Sequence, residues 1–145
     1  MNSKINHIRN LVYLGQVDSD FHEKEREFVE KVGKRLGLSQ NEIEKELNST
    51  MDKRPPLPTE EILSFILLDD LMNLMASDGK IMDEEIEACK KIAQKLGFES
   101  DIIITISEKI KKHLIDGFAE NATQVLIKNE LFKSTTKNYY YEKYS

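Results

Sequence analysis

Apolar side chains recur at helical spacing along most of this chain, so the pattern of hydrophobic and polar positions reads as a succession of helices. Ile5, Ile8, Leu11, Val12 and Leu14 form one stripe and predict a first helix over about residues 3–17. Phe28, Val29, Val32 and Leu36 predict a second, starting near residue 23 and stopped by Gly37. Ser39-Gln40-Asn41-Glu42 has the form of a capping box and opens a third helix that ends near residue 49. The stretch MDKRPPLP, with three prolines in four residues, forbids a helix and reads as a linker. A fourth helix starts at Thr59-Glu60-Glu61. Its apolar positions, including Ile62, Ile66, Leu67, Leu71, Leu74 and Met75, cover almost the whole circumference. A helix apolar all round is buried, so this one is expected at the centre of the core. The fifth starts near Asp83, turns Ile86, Cys89, Ile92, Ala93 and Leu96 inward, and stops at Gly97. A seventh, over about 118–132, places Phe118, Ala122, Val125, Leu126 and Leu131 together.

The sixth element is decided by an internal repeat. Residues 102–106 read IIITI, which in isolation suggests a strand. Shifting the chain by sixty positions lays residues 11–38 on residues 71–98 without a gap. Eight of the twenty-eight pairs are identical: Leu11/Leu71, Leu14/Leu74, Asp18/Asp78, Glu25/Glu85, Glu27/Glu87, Lys31/Lys91, Leu36/Leu96 and Gly37/Gly97. Average residue usage gives about two by chance. The segment after Gly37 is helical by its capping box, so its counterpart at 101–113 is expected to be helical too. The prediction is an all-α protein of about seven helices with two pseudo-symmetric helix–loop–helix repeats, which should pack together to bury their apolar faces. A single domain over 1–133 would comprise repeat A (4–49), a linker (50–58), repeat B (59–113) and a C-terminal helix (117–133). Residues 134–145, polar and tyrosine-rich, read as a loose or partly docked tail.

Charge sharpens this picture. The 145 residues carry a net charge of −5, which argues against nonspecific nucleic-acid binding. Residues 1–99 hold 14 basic and 20 acidic side chains, whereas residues 100–145 hold 7 and 6, so the acidity belongs to the repeats. A single cysteine, Cys89, rules out an intrachain disulfide and sits among apolar neighbours, the setting of a buried inert thiol. The start, MNSKINHIRN, has no apolar signal region. The most apolar window, residues 62–75, contains Asp69 and Asp70 and is too short to span a bilayer. A cytoplasmic protein without an integral membrane segment is the expectation.

The chemistry gathers in the loops of the two repeats. Asp78-Gly79-Lys80-Ile81-Met82-Asp83-Glu84-Glu85 resembles the second half of an EF-hand calcium loop, with Gly79 at the turn, Ile81 apolar and Glu85 at the end. The first and third ligand positions would fall on Leu74 and Ala76, or on Leu14 and Gln16 in the other copy, which excludes an EF-hand. A plainer reading needs no ion. Glu23, Glu25, Asp83, Glu84 and Glu85 suit helix starts, and Asp78 before Gly79 suits an Asx turn. Against it, Asp18 and Asp78 both stand at helix C-terminal ends, where the dipole disfavours a carboxylate.

The pattern Leu71-x-x-Leu74-x-Ala76-x-Asp78-Gly79-x(5)-Glu85, continuing to Leu96-Gly97, resembles the TerB-like family, named for a tellurite-resistance protein. It is also similar to the N-terminal domain of a membrane-anchored DnaJ-type co-chaperone. The resemblance covers about residues 4–132. It implies an all-helical fold with acidic residues clustered where two halves meet. It makes Asp18, Glu25, Asp78 and Glu85 candidate divalent-metal ligands, for Ca²⁺ or Mg²⁺ by their oxygen chemistry. The first copy departs from the pattern: Ser19 replaces the glycine, and Asp20 replaces Lys80 and adds a fifth candidate carboxylate.

Little other chemistry is legible. His7, His22 and His113 are scattered, and His22, just before a helix, is expected to face solvent. Lys109, Lys111 and Lys112 with His113 read as a solvated basic face. Three readings follow: a non-enzymatic TerB-like module that binds a divalent cation and acts through protein partners in a stress or tellurite-type resistance; a metal-free helical adaptor; and a metal-assisted hydrolase.

Overall fold

The computed structural model describes residues 3–17, 21–117 and 120–144, with backbone only at 120 and 135–144. Among these, seven helices follow one another and no strand occurs: α1 (Ser3–Gln16), α2 (Glu23–Arg35), α3 (Gln40–Leu47), α4 (Glu61–Ala76), α5 (Asp83–Lys95), α6 (Ser100–Asp116) and α7 (Glu120–Tyr144). The fold is all-α. No helix among the described residues is long and apolar enough to cross a membrane.

The helix bounds follow local chemistry. Ser39 caps α3, accepting from Glu42 N through Oγ at 3.2 Å while Glu42 Oε1 accepts from Ser39 N at 2.9 Å. At the C-terminal ends of α2 and α5 the chain closes alike: Leu38 N donates to Gly33 O at 3.0 Å, and Phe98 N to Ala93 O at 2.9 Å. Gly37 and Gly97 take the left-handed conformation there, with φ of 83° and 94°. The bounds also recur at the sixty-residue offset: α2 and α5 start at 23 and 83, α1 and α4 end at 16 and 76, and α3 and α6 start at 40 and 100. The segment IIITI is helical. Ile103, Ile106 and Ile110 are fully buried while Ile104 is exposed, a stripe of helical spacing that overrides the β-branched propensity.

α4 packs against α1, α2, α5 and α7. Its Leu67, Leu68, Leu71, Met72, Leu74 and Met75 are all fully buried. The expectation of a helix buried all round is corrected at its start, where Ile62 is 63 % exposed and Ile66 36 %. Full burial of α4 begins only at Leu67, after the first turns that follow the proline linker.

The inward face of α7 also differs from its pattern. Thr123, Ile127 and Leu131, four residues apart, are buried, and Val125 is 58 % exposed. A threonine in the buried row hides that row from a reading of apolar spacing. Phe118 lies outside the described residues. The helix passes the boundary at residue 133 and runs through the expected tail to Tyr144, a segment with neither glycine nor proline to stop it. α2 and α3 approach closely at Gly33, where a Cβ would stand 2.7 Å from Ile43 Cγ1.

Candidate functional site

Glu25 and Glu85 occupy the third position of α2 and of α5. In each case one carboxylate oxygen closes the first turn: Glu25 Oε1 accepts from His22 N and Glu85 Oε1 from Met82 N, both at 3.2 Å. α5 packs on α1 as well as on α4, and α2 on α4 as well as on α1, and the acids at the starts of α2 and α5 come close enough to act on each other. Both glutamates are 2 % exposed.

The two carboxyls lie within reach of each other, close enough to share a proton. Glu25 Oε2 is buried and receives no bond from an N–H or hydroxyl among the described residues, so its neighbour there is an acid like itself. Burial, then the hydrogen bond to Glu85 and the charges of Glu85 and Asp78, push Glu25 up to about 9, against a smaller downward pull from the His22 N–H. A carboxyl raised this far keeps its proton at neutral pH, which spares Glu25 a second negative charge beside Glu85.

Asp78 is half-buried at the end of α4, near enough for its charge to act on Glu25. Its Oδ1 accepts from Lys80 N at 2.9 Å, the expected Asx turn. Gly79 follows with φ of 81°, a conformation that costs a glycine nothing. Ile81 fills the apolar position at 9 % exposure. Beside the loop a cleft of about 290 Å³ is lined by Lys24, Phe28, Asn73, Ser77, Asp78 and Gly79.

Of the five expected site residues, Glu25 and Glu85 are thus in contact and Asp78 is a charged neighbour. Asp18 and Asp20 lie outside the described residues. Among the described residues no group of three or more His, Cys, Asp or Glu side chains comes together as a metal-ligand set. His22 is exposed, with Nδ1 accepting from Lys24 N at 3.1 Å. Cys89 is buried 3.9 Å from Met72 Sδ, and burial, with the nearby Glu85 charge, pushes its thiol up to about 12.

A second set of buried charges is absent from the sequence reading. Asp70, 2 % exposed, accepts from His7 Nε2 at 2.7 Å and from Arg35 Nη1 and Nη2 at 3.2 and 2.6 Å. Burial would raise this carboxyl, but His7 and Arg35 hold it below its ordinary value. Asp69 is raised by burial, partly offset by Lys128 Nζ at 2.8 Å. Arg9 clasps the buried Glu46 with two nitrogens, at 2.9 and 3.1 Å. The available signal was Asp69 and Asp70 within the most apolar window, since carboxylates there need cationic partners. Those partners come from α1, α2 and α7 and cannot be read from spacing.

Fold and site together define an all-helical protein centred on a buried acid pair. No family model, no curated protein and no solved structure matches the chain.

Proposed function

We propose that this chain is a non-enzymatic helical module of TerB-like type, in which the Glu25–Glu85 pair exchanges its shared proton for a hard divalent cation and which works through protein partners in a cytoplasmic stress response. The observation that carries this reading is the burial of two carboxyls against each other, with a third carboxylate, Asp78, acting on them. Such an arrangement holds excess negative charge that only a proton or a cation can balance. Oxygen donors favour Ca²⁺ or Mg²⁺. Glu25 and Glu85 supply too few ligands by themselves; Asp78, Asp18, Asp20 and water are the candidates to complete the shell. The recurrence of helix bounds and caps at the sixty-residue offset supports two halves related by a pseudo-twofold axis through this pair.

A metal-free adaptor is the second reading. It is favoured by the full local use of these groups: Glu25 and Glu85 cap their helices and Asp78 closes an Asx turn. Thermal melts at pH 7 with millimolar Ca²⁺, Mg²⁺ or Mn²⁺ separate the two. Binding to the folded form raises the melting temperature. The cation reading expects a rise in the wild type that is absent in Glu25→Gln/Glu85→Gln. A wild type without a shift, or a double variant that shifts equally, leaves the adaptor.

A further inference from the structure

The cleft of about 290 Å³ beside Asp78 lies where α2 and α7 start and α4 and α6 end. Among the described residues only two of those lining it are charged, and they are opposite: Lys24 and Asp78. They do not pair with each other, and neither forms an ion pair with another described residue. Lys24 stands in the first turn of α2, and Asp78 follows the last turn of α4. Helix starts carry partial positive charge and helix ends partial negative charge, so each side chain has the sign its helix terminus disfavours. A ligand carrying the matching charges would offset both.

Thr123, near the start of α7, points the same way. It lines the cleft and is 5 % exposed, yet its hydroxyl has no hydrogen-bond partner among the described residues. The hydroxyl is not sealed off and keeps part of that exposure. A nearly buried hydroxyl without a partner costs free energy that a ligand group recovers. Asn73 is oriented by its own helix: Nδ2 donates to Asp69 O at 2.8 Å, which leaves the carbonyl oxygen as an acceptor. Phe28, Ala76 and Leu114 add apolar wall. Apolar walls with a few fixed polar groups are the usual make-up of a small-molecule site.

We propose that this cleft binds a free α-amino acid with a short apolar side chain, its carboxylate towards Lys24 and Thr123 and its ammonium towards Asp78 and the end of α4. A simple anion would meet Asp78 in so small a space, and a simple cation would meet Lys24; a zwitterion suits both. The probes are valine, valinamide, which lacks the carboxylate, and N-acetylvaline, which lacks the ammonium. Each is titrated into the ¹⁵N-labelled full chain at pH 7 in the presence of EDTA while the amide shifts are followed. The expected result is saturable shifts with valine at Lys24, Ser77, Gly79 and Thr123. Both blocked forms should bind at least about tenfold more weakly, the worth of one charge-assisted hydrogen bond. Lys24→Met, at an exposed side chain, should bring the affinity for valine down to that for valinamide. Absence of saturable shifts, a blocked form that binds as tightly as valine, or a folded Lys24→Met that keeps the preference would overturn the proposal. The three-probe comparison in the wild type decides even if the variant fails to fold. Neither Glu25 nor Glu85 lines this cleft and EDTA keeps divalent cations away, so the outcome is separate from that of the cation melts.

Discussion

Glu25 and Glu85, sixty residues apart in sequence, each cap their own helix with one carboxylate oxygen and meet each other carboxyl to carboxyl. The first prediction is a pH dependence. In the folded protein Glu25 is raised to about 9 from an ordinary value of 4.5. The folded state therefore keeps a proton that the unfolded state has released. The stabilisation is fully present below pH 4.5 and is lost as the pH rises towards 9, with a limiting slope of about 1.4 kcal/mol per pH unit. Urea midpoints should fall between pH 5 and pH 9. Glu25→Gln should flatten that fall, because the amide can accept from His22 N and donate to Glu85 without a titrating proton. Equal slopes in wild type and variant would show that the pair does not share a proton.

Asp70 gives the opposite sign in a different window. Its carboxyl is held below the ordinary value, so its contribution is present above that value and is lost as the pH falls through the lowered one. Removing one partner leaves a buried carboxylate less well compensated. Arg35→Met should cost about 3 kcal/mol, the lower end for a broken buried pair, since His7 still bonds Asp70 and Arg35 is half exposed. The same variant should move the acid-unfolding midpoint to higher pH. Denaturant melts at pH 7 and an acid titration followed by circular dichroism measure both. A cost under about 0.5 kcal/mol would mark the bridge as a surface pair.

How much of this was legible depends on the range of the interaction involved. The starts of α2 and α5 follow from residues within one turn, such as Glu25 and Glu85, and their ends from Gly37 and Gly97. The acid pair was legible because the repeat aligns Glu25 with Glu85. The partners of Asp69 and Asp70 were not, because they lie 35 to 63 residues away and spacing carries no information at that range. Nor could the apolar pattern say where the cover over α4 ends. Ile62 and Leu71 look alike in sequence, yet one is 63 % exposed and the other fully buried.

That difference is measurable. Leu71→Ala removes buried methyl groups from a helix that packs against four others and should cost about 2–5 kcal/mol. Ile62→Ala, on the open side of the same helix, should stay within about 0.5 kcal/mol. Chemical denaturation of the two variants side by side is the check. Similar costs would mean that the start of α4 is covered in solution.

The last prediction separates two reasons for a glycine. At Gly79 a Cβ would meet nothing within 4 Å, but φ is 81°, so the obstacle is the backbone. Gly79→Ala should cost about 1–2 kcal/mol, the left-handed penalty of an L-residue. Gly79→Asn should cost less, because asparagine tolerates that conformation. At Gly33, inside α2, the backbone is helical and alanine would ordinarily be welcome. There the obstacle is Ile43, whose Cγ1 and Cδ1 would lie 2.7 and 2.8 Å from the new Cβ. Gly33→Ala should cost about 1–3 kcal/mol by overpacking. Ile43→Val removes Cδ1, one of the two atoms in the way, so the double variant should be more stable than the sum of the single effects predicts. Strict additivity would show that α2 and α3 are not pressed together at Gly33. A Gly79→Asn as costly as Gly79→Ala would show that the turn beside the acid pair needs more than a left-handed backbone.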